Sequence, residues 1–165
     1  QISLVVFLKQ LIDSLEADKL FNKKLNVFVF VILALIVGGL SSSNTSDDLW
    51  YQGLVKSDLN PPGYVFGIVW PILYLLMSIS AYRNFDSIAK IFFIQLFFNT
   101  IWSWLFFFYH LPFIALLDIW LLIFLNINIL IVLGKKDKLA MILYIPYVIW
   151  LLFASYLNIF IVINN

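Results

Sequence analysis

The sequence predicts an all-α membrane protein, a five-transmembrane-helix bundle with a preceding amphipathic N-terminal helix. Three observations predict it. Of 165 residues, 64% are hydrophobic and 12% charged, whereas a soluble domain carries about 25% charge and 45–50% apolar residues; the solvent must be lipid. Five apolar stretches follow one another, and spans of about 20 residues each suit a hydrocarbon core of about 30 Å. The cations, finally, sit on alternate connections between those stretches.

Residues 1–24 do not read as a span. Leu4, Leu8, Leu11 and Leu15 recur at helical spacing beside a stripe of Lys9, Asp13 and Glu16, the pattern of a helix lying in the membrane interface. A signal peptide fits less well, because Lys9 interrupts the apolar run and no small-residue cleavage site follows clearly. The chain opens on Gln1 rather than Met, which leaves its true start open.

Residues 25–165 read as a single transmembrane domain, with spans over about 25–42, 62–82, 88–109, 112–133 and 139–162. In lipid each must be helical, since every backbone N–H and C=O needs a partner within its own segment. The alternation of a membrane β-barrel is absent. Lys9, Lys19, Lys23 and Lys24 precede the first span, Arg83 and Lys90 lie between the second and third, and Lys135, Lys136 and Lys138 between the fourth and fifth. All nine fall on one side of a five-span chain, and Lys56 alone on the other. The positive-inside rule then predicts a cytoplasmic N-terminus and a C-terminus outside.

Composition also excludes functions. Without cysteine there is no disulfide and no thiolate metal site, and a single histidine, His110, argues against a His-based metal site. Net charge is +1 with no basic block, so nucleic acid is not an expected partner. No nucleophile–base pair and no glycine-rich phosphate loop is visible, and no cofactor is expected.

What remains is a set of polar and aromatic groups inside the spans. The long connection, 43–61, is polar and flexible at "SSSNTSDD" but aromatic at "LWYQGL". Trp50 and Tyr51 are either interfacial belt residues or part of a loop folding back over a cavity as a lid. In the second span Phe66, Trp70, Tyr74 and Met77 share a helix face. Asn60 is expected to cap that helix, with Pro61 and Pro62 in its first turn, and Pro71 to kink it. In the third span Gln95, Asn99, Trp102 and Phe106 share a face; its two amides either bond to neighbouring helices or rim a ligand cavity. Asp118 lies about two turns into the fourth span and is either a functional acid or a structural partner of these amides or a tyrosine. In the fifth span Pro146 permits a kink, and Tyr147, Trp150 or Leu151, Ala154 and Asn158 track one face. Ala34 and Gly38 in the first span form a small-xxx-small pair for close contact within the bundle or across a dimer. Residue chemistry alone thus predicts five helices around an aromatic cavity for a flat apolar ligand.

Four motifs carry a family resemblance. "WYQGLVKSDLNPPGYVFGIVWPILY", "QLFFNTIWSWLFF", "PFIALLDI" and "PYVIWLLFASYLN" occur in that order on successive elements. Together they resemble the TspO/MBR family, the translocator proteins also called peripheral-type benzodiazepine receptors, over about 25–164. The resemblance implies a homodimeric five-helix bundle that binds porphyrins such as protoporphyrin IX, synthetic benzodiazepine-like compounds and, in animal members, cholesterol, for transport, sensing or tetrapyrrole homeostasis. It implies a pocket lined by Trp50, Trp70, Tyr74, Asn99, Trp102, Trp150 and Ala154. Together with the residue reading, this extends the candidate ligand site to Tyr51, Phe66, Gln95, Asp118 and Tyr147. The alternatives it carries are an enzyme promoting light- and oxygen-dependent porphyrin breakdown, with Trp70 and Trp150 as its catalytic indoles, and a dimeric signalling or structural partner. The chain departs from the family pattern at Ser57, where proline is usual, at Tyr64, where tryptophan is usual, and at Pro71. The sterol-recognition pattern fails at the C-terminus, where Ile159, Phe160, Ile161, Val162 and Ile163 follow Asn158. Sterol binding through that motif is not expected, and a bacterial membrane is the expected location.

Overall fold

A computed structural model describes residues 2–43 and 45–165, with side chains from position 22 onward. Helix α1 runs over Ile2–Ser41 as one backbone element. The amphipathic face expected over 1–24 falls, up to position 21, on side chains outside the described residues. A short helix α2, Leu49–Gly53, sits in the long connection. The remaining spans are α3, Gly63–Arg83; α4, Phe85–Ser103, continued by a π-helical turn over Trp104–Phe108; α5, Pro112–Lys136; and α6, Lys138–Asn164. Five segments are long and apolar enough to cross a membrane, beginning with Asn22–Ser41 within α1. The protein is an all-α integral membrane protein, with no strand among the described residues.

The spans form a ring. Helix α1 packs on α3 and α4, α3 on α6, α6 on α5, and α5 on α4. Met77, Phe92, Ile119, Leu133 and Leu151 fill the centre and are essentially inaccessible. Large apolar side chains such as Ile32, Ile72, Phe97, Phe124 and Ile149 remain exposed, which is the proper state of a surface solvated by hydrocarbon.

Short turns close one end. Asp137 is the single residue between α5 and α6, and its carboxylate caps α6 by accepting from the amides of Leu139 and Ala140 at 3.1 Å each. It also accepts from Arg83 Nε at 2.8 Å and Asn84 Nδ2 at 3.3 Å, so one carboxylate joins the α3–α4 turn to the α5–α6 turn. These bonds hold the Asp137 carboxyl below its ordinary pKa, the Arg83 hydrogen bond foremost.

Two local expectations need correction. Asn60 does not cap α3: the helix begins at Gly63 with Pro62 in the cap position and no side-chain cap bond. Asn60 instead closes a turn, its amide bonded to the Ser57 carbonyl at 2.9 Å. Asn60 and Pro61 each precede a proline, which disfavours the helical region for both, and Pro62 itself is extended at ψ 148° as the residue before the helix. The third span also does not end as a regular helix. The Tyr109 amide reaches the Trp104 carbonyl at 2.9 Å, a five-residue step that adds one residue to the last turn.

Candidate functional site

At the end of the ring opposite Asp137, α1, α3, the third span and α6 line a partly open cavity of about 650 Å³, within the 300–1,000 Å³ usual for small-molecule sites. Its aromatic wall is built from Phe66, Trp70 and Tyr74 on α3, Trp102 and Phe107 on the third span, and Trp150 on α6. Residues on α3 four apart lie one above another, which makes that helix a continuous ring-bearing face. Trp70 meets Tyr74 edge-on at 5.5 Å between centroids, and Phe66 meets Trp150 at 5.8 Å. The small residues Gly38, Gly39, Gly67 and Ala154 line it as well, leaving the volume that larger side chains would fill.

Phe107 owes its place to the π-turn. In an α-helix the neighbours of Trp102 on its own face are three and four residues on; the widened turn brings the fifth onto the same wall. Phe106, expected on that face, is buried and stacks on Trp102 at 5.4 Å. The Trp102 indole donates to Asn158 Oδ1 at 3.3 Å, and Asn158 donates to the Pro112 carbonyl at 2.8 Å, which fixes the ring against α6.

The long connection folds back over this end. Asp48 caps α2 by accepting from the Trp50 amide at 3.0 Å and bonds His110 Nε2 at 3.0 Å. Trp50 stacks on His110 at 4.2 Å, and Tyr51 packs against Phe107 at 5.6 Å. Ser57 Oγ meets the Tyr156 hydroxyl at 2.9 Å. The Val55 amide donates to Asn165 Oδ1 at 2.8 Å. Of the two readings of Trp50 and Tyr51, the structure shows the folded-back loop: Tyr51, Thr45, Lys56 and Asn60 all line the cavity. Burial raises the Tyr51 pKa, partly offset by Asn60, and lowers that of Lys56.

The predicted site residues therefore separate. Tyr51, Phe66, Trp70, Tyr74, Trp102, Trp150 and Ala154 line the cavity; Trp50, Gln95, Asn99, Asp118 and Tyr147 do not. Trp50 is held behind it against Phe106 and His110. Gln95, Asn99 and Tyr147 belong to a buried polar chain below the floor. Tyr74 donates to Asn99 Oδ1. Asn99 Nδ2 donates to the Tyr147 hydroxyl at 2.7 Å, which donates to Gln95 Oε1 at 3.0 Å. Asn126 Nδ2 reaches the same Gln95 oxygen at 3.3 Å, and Tyr144 donates to Asn126 Oδ1 at 2.6 Å. The amide face of the third span thus bonds to α3, α5 and α6, in keeping with the interhelical reading. Asp118 is buried on α5, a helix that contributes no described residue to the cavity, because α5 packs on α4 and α6 across the ring. Asp118 Oδ2, Gln95 Nε2 and Trp150 Nε1 have no hydrogen-bond partner among the described residues.

Ala34 and Gly38, expected to make close contact within the bundle or across a dimer, are buried within the chain's own ring. A Cβ on Gly38 would stand 3.5 Å from Ser103 Oγ of the third span, so the pair serves the intrabundle contact. Sequence reasoning missed Lys56, Ser103 and Phe107 as cavity residues. Lys56 was legible as the lone cation of its side; the π-turn left no glycine or proline to mark it.

Fold and site together define a five-span α-helical membrane protein with an aromatic cavity beneath a folded loop. Residues 27–163 match the TspO/MBR family, and the chain belongs to that family. It is 33% identical over 149 residues to the tryptophan-rich protein TspO of Archaeoglobus fulgidus, covering 86% of this chain and 97% of that one. It is 31% identical over 146 residues to protein CrtK of Rhodobacter capsulatus, covering 81% and 89%. It is 33% identical over 116 residues to a tryptophan-rich sensory protein of Cereibacter sphaeroides, covering 67% and 73%.

Proposed function

We propose that the protein binds porphyrins or closely related flat tetrapyrroles in this cavity, for their transport or sensing. The observation that carries the reading is the cavity itself: about 650 Å³ with three indoles, Trp70, Trp102 and Trp150, on its wall. A flat, largely apolar macrocycle presents faces that such rings contact at little conformational cost. Lipid tails would also fill an apolar space, but they need no wall of rigid rings. A relative named as a sensory protein is in keeping with a ligand-reading role.

The test is a titration of the purified protein with protoporphyrin IX in the dark, read by quenching of tryptophan fluorescence. Saturable quenching is expected, and Trp70→Ala should weaken it about tenfold, as loss of one aromatic contact of about 1.5 kcal/mol implies. Non-saturable quenching, or an unchanged affinity in a folded Trp70→Ala protein, would overturn the reading.

A further inference from the structure

The cavity has a polar end that the flat-ligand reading does not use. Beneath the loop its lining includes Ser42, Thr45, Lys56 and Asn60, whereas the α3 and α6 walls are aromatic. Lys56 is the charged side chain among the described lining residues. Its Nζ lies 4.2 Å from the centroid of the Tyr51 ring and donates to the Tyr51 carbonyl. No carboxylate forms a salt bridge with it among the described residues; of the loop acids, Asp48 is bonded to His110 instead.

A half-buried ammonium with three donors and an aromatic face beside it is held as a cation without a counter-charge. Leaving water lowers the Lys56 pKa, so an anion at this point would restore what burial removes. A backbone carbonyl and a ring quadrupole position the charge but do not neutralise it.

We propose that Lys56 makes the cavity selective for ligands carrying a carboxylate at the edge of a flat apolar body, with the carboxylate at the loop end and the body against the aromatic wall. This rests on the tetrapyrrole reading and sharpens it, because it names which part of the ligand faces the lid. A neutral ligand of the same shape fills the aromatic wall but leaves Lys56 unpaired, and its affinity is correspondingly lower.

Protoporphyrin IX and its dimethyl ester differ in charge and share the macrocycle. Both are titrated in the dark into the protein in phosphatidylcholine nanodiscs, with the wild type, Lys56→Met, Lys56→Gln and Lys56→Arg. The wild type should bind the acid about tenfold more tightly than the ester. Met and Gln should bring the acid down to the ester's affinity, and Arg should keep the preference. Equal, saturable affinities of acid and ester in the wild type would overturn the role of Lys56 and leave the porphyrin reading standing. So would a preference that survives in Lys56→Met or Lys56→Gln, since it would then come from partitioning. Failure of both compounds to bind saturably would overturn both readings. Should either variant not fold, the wild-type pair and the other variant still decide the question.

Discussion

Asn99 and Asp118 show how differently two polar side chains behave inside the same bundle. Asn99 accepts from Tyr74 and donates to Tyr147, so it joins the cavity wall to α6. Removing it leaves the Tyr74 hydroxyl without its acceptor, while Tyr147 keeps its bond to Gln95, at about 1–2 kcal/mol in a membrane interior where such bonds average about 0.6 kcal/mol. Asp118 is the opposite case, a buried acid with one oxygen unpartnered among the described residues. A carboxyl in that position is costly, and its amide is a cheaper group of the same shape. Asp118→Asn is therefore expected to match or exceed the wild type in thermal stability, by up to about 1 kcal/mol, and to leave porphyrin affinity unchanged. Thermal unfolding in detergent, paired with the fluorescence titration, checks both; a drop in affinity would place Asp118 in the site after all. Both residues were picked out from the sequence as polar groups in lipid. That they are polar is a property of the residue, but whether each meets a ligand, a helix or no partner at all is a property of its surroundings.

Among the elements, the long connection and the π-turn decide the character of the site. The connection is anchored at four places, through His110, Phe107, Tyr156 and Asn165, so it covers the cavity as a folded unit. Two of those anchors can be removed without touching the cavity lining. Combining Asp48→Ala with Tyr156→Phe should also uncap α2, a loss of about 1 kcal/mol. Faster amide hydrogen exchange over 49–57 and a several-fold faster porphyrin off-rate are expected. Unchanged exchange would show that packing of Trp50 and Tyr51 alone holds the loop. The helical spans were legible from hydropathy, since lipid permits nothing else. Asn60 was misread because Asn before Pro-Pro matches a capping pattern, while the second proline pushes the first out of the helical region. The π-turn was not legible, because "WLFFF" is as compatible with an α-turn.

For the whole molecule, the two ends of the ring are closed differently. The loop end borders a cavity and is joined by aromatic contacts together with scattered hydrogen bonds through His110, Tyr156 and Asn165. The opposite end is closed by short turns tied through Asp137. Its carboxyl is held below the ordinary value of about 3.9, so it contributes stability that is fully present above that value and is lost as pH falls through the depressed one. Wild-type protein in detergent should accordingly lose thermal stability on acidification below about pH 4. Asp137→Asn should start lower at pH 7 and show a shallower acid limb. Parallel melting curves of the two between pH 7 and pH 2 would remove Asp137 from this role.

The number of spans, the loop between the first two, and the aromatic faces of α3 and α6 follow from the residues in order. Each is a local property, set by the length of an apolar run and by helical periodicity. The same periodicity shows that Gln95, Asn99 and Trp102 share a face, but not which neighbour that face meets. Only the ring order α1–α3–α6–α5–α4 decided that. It turns the amides onto Tyr74 and Tyr147 and carries Asp118 across the bundle from the cavity. It seats Gly38 beside Ser103, and brings Lys56 to the cavity wall. Helix packing brings together residues far apart in the chain, so it depends on all five faces at once and is written in no single one of them.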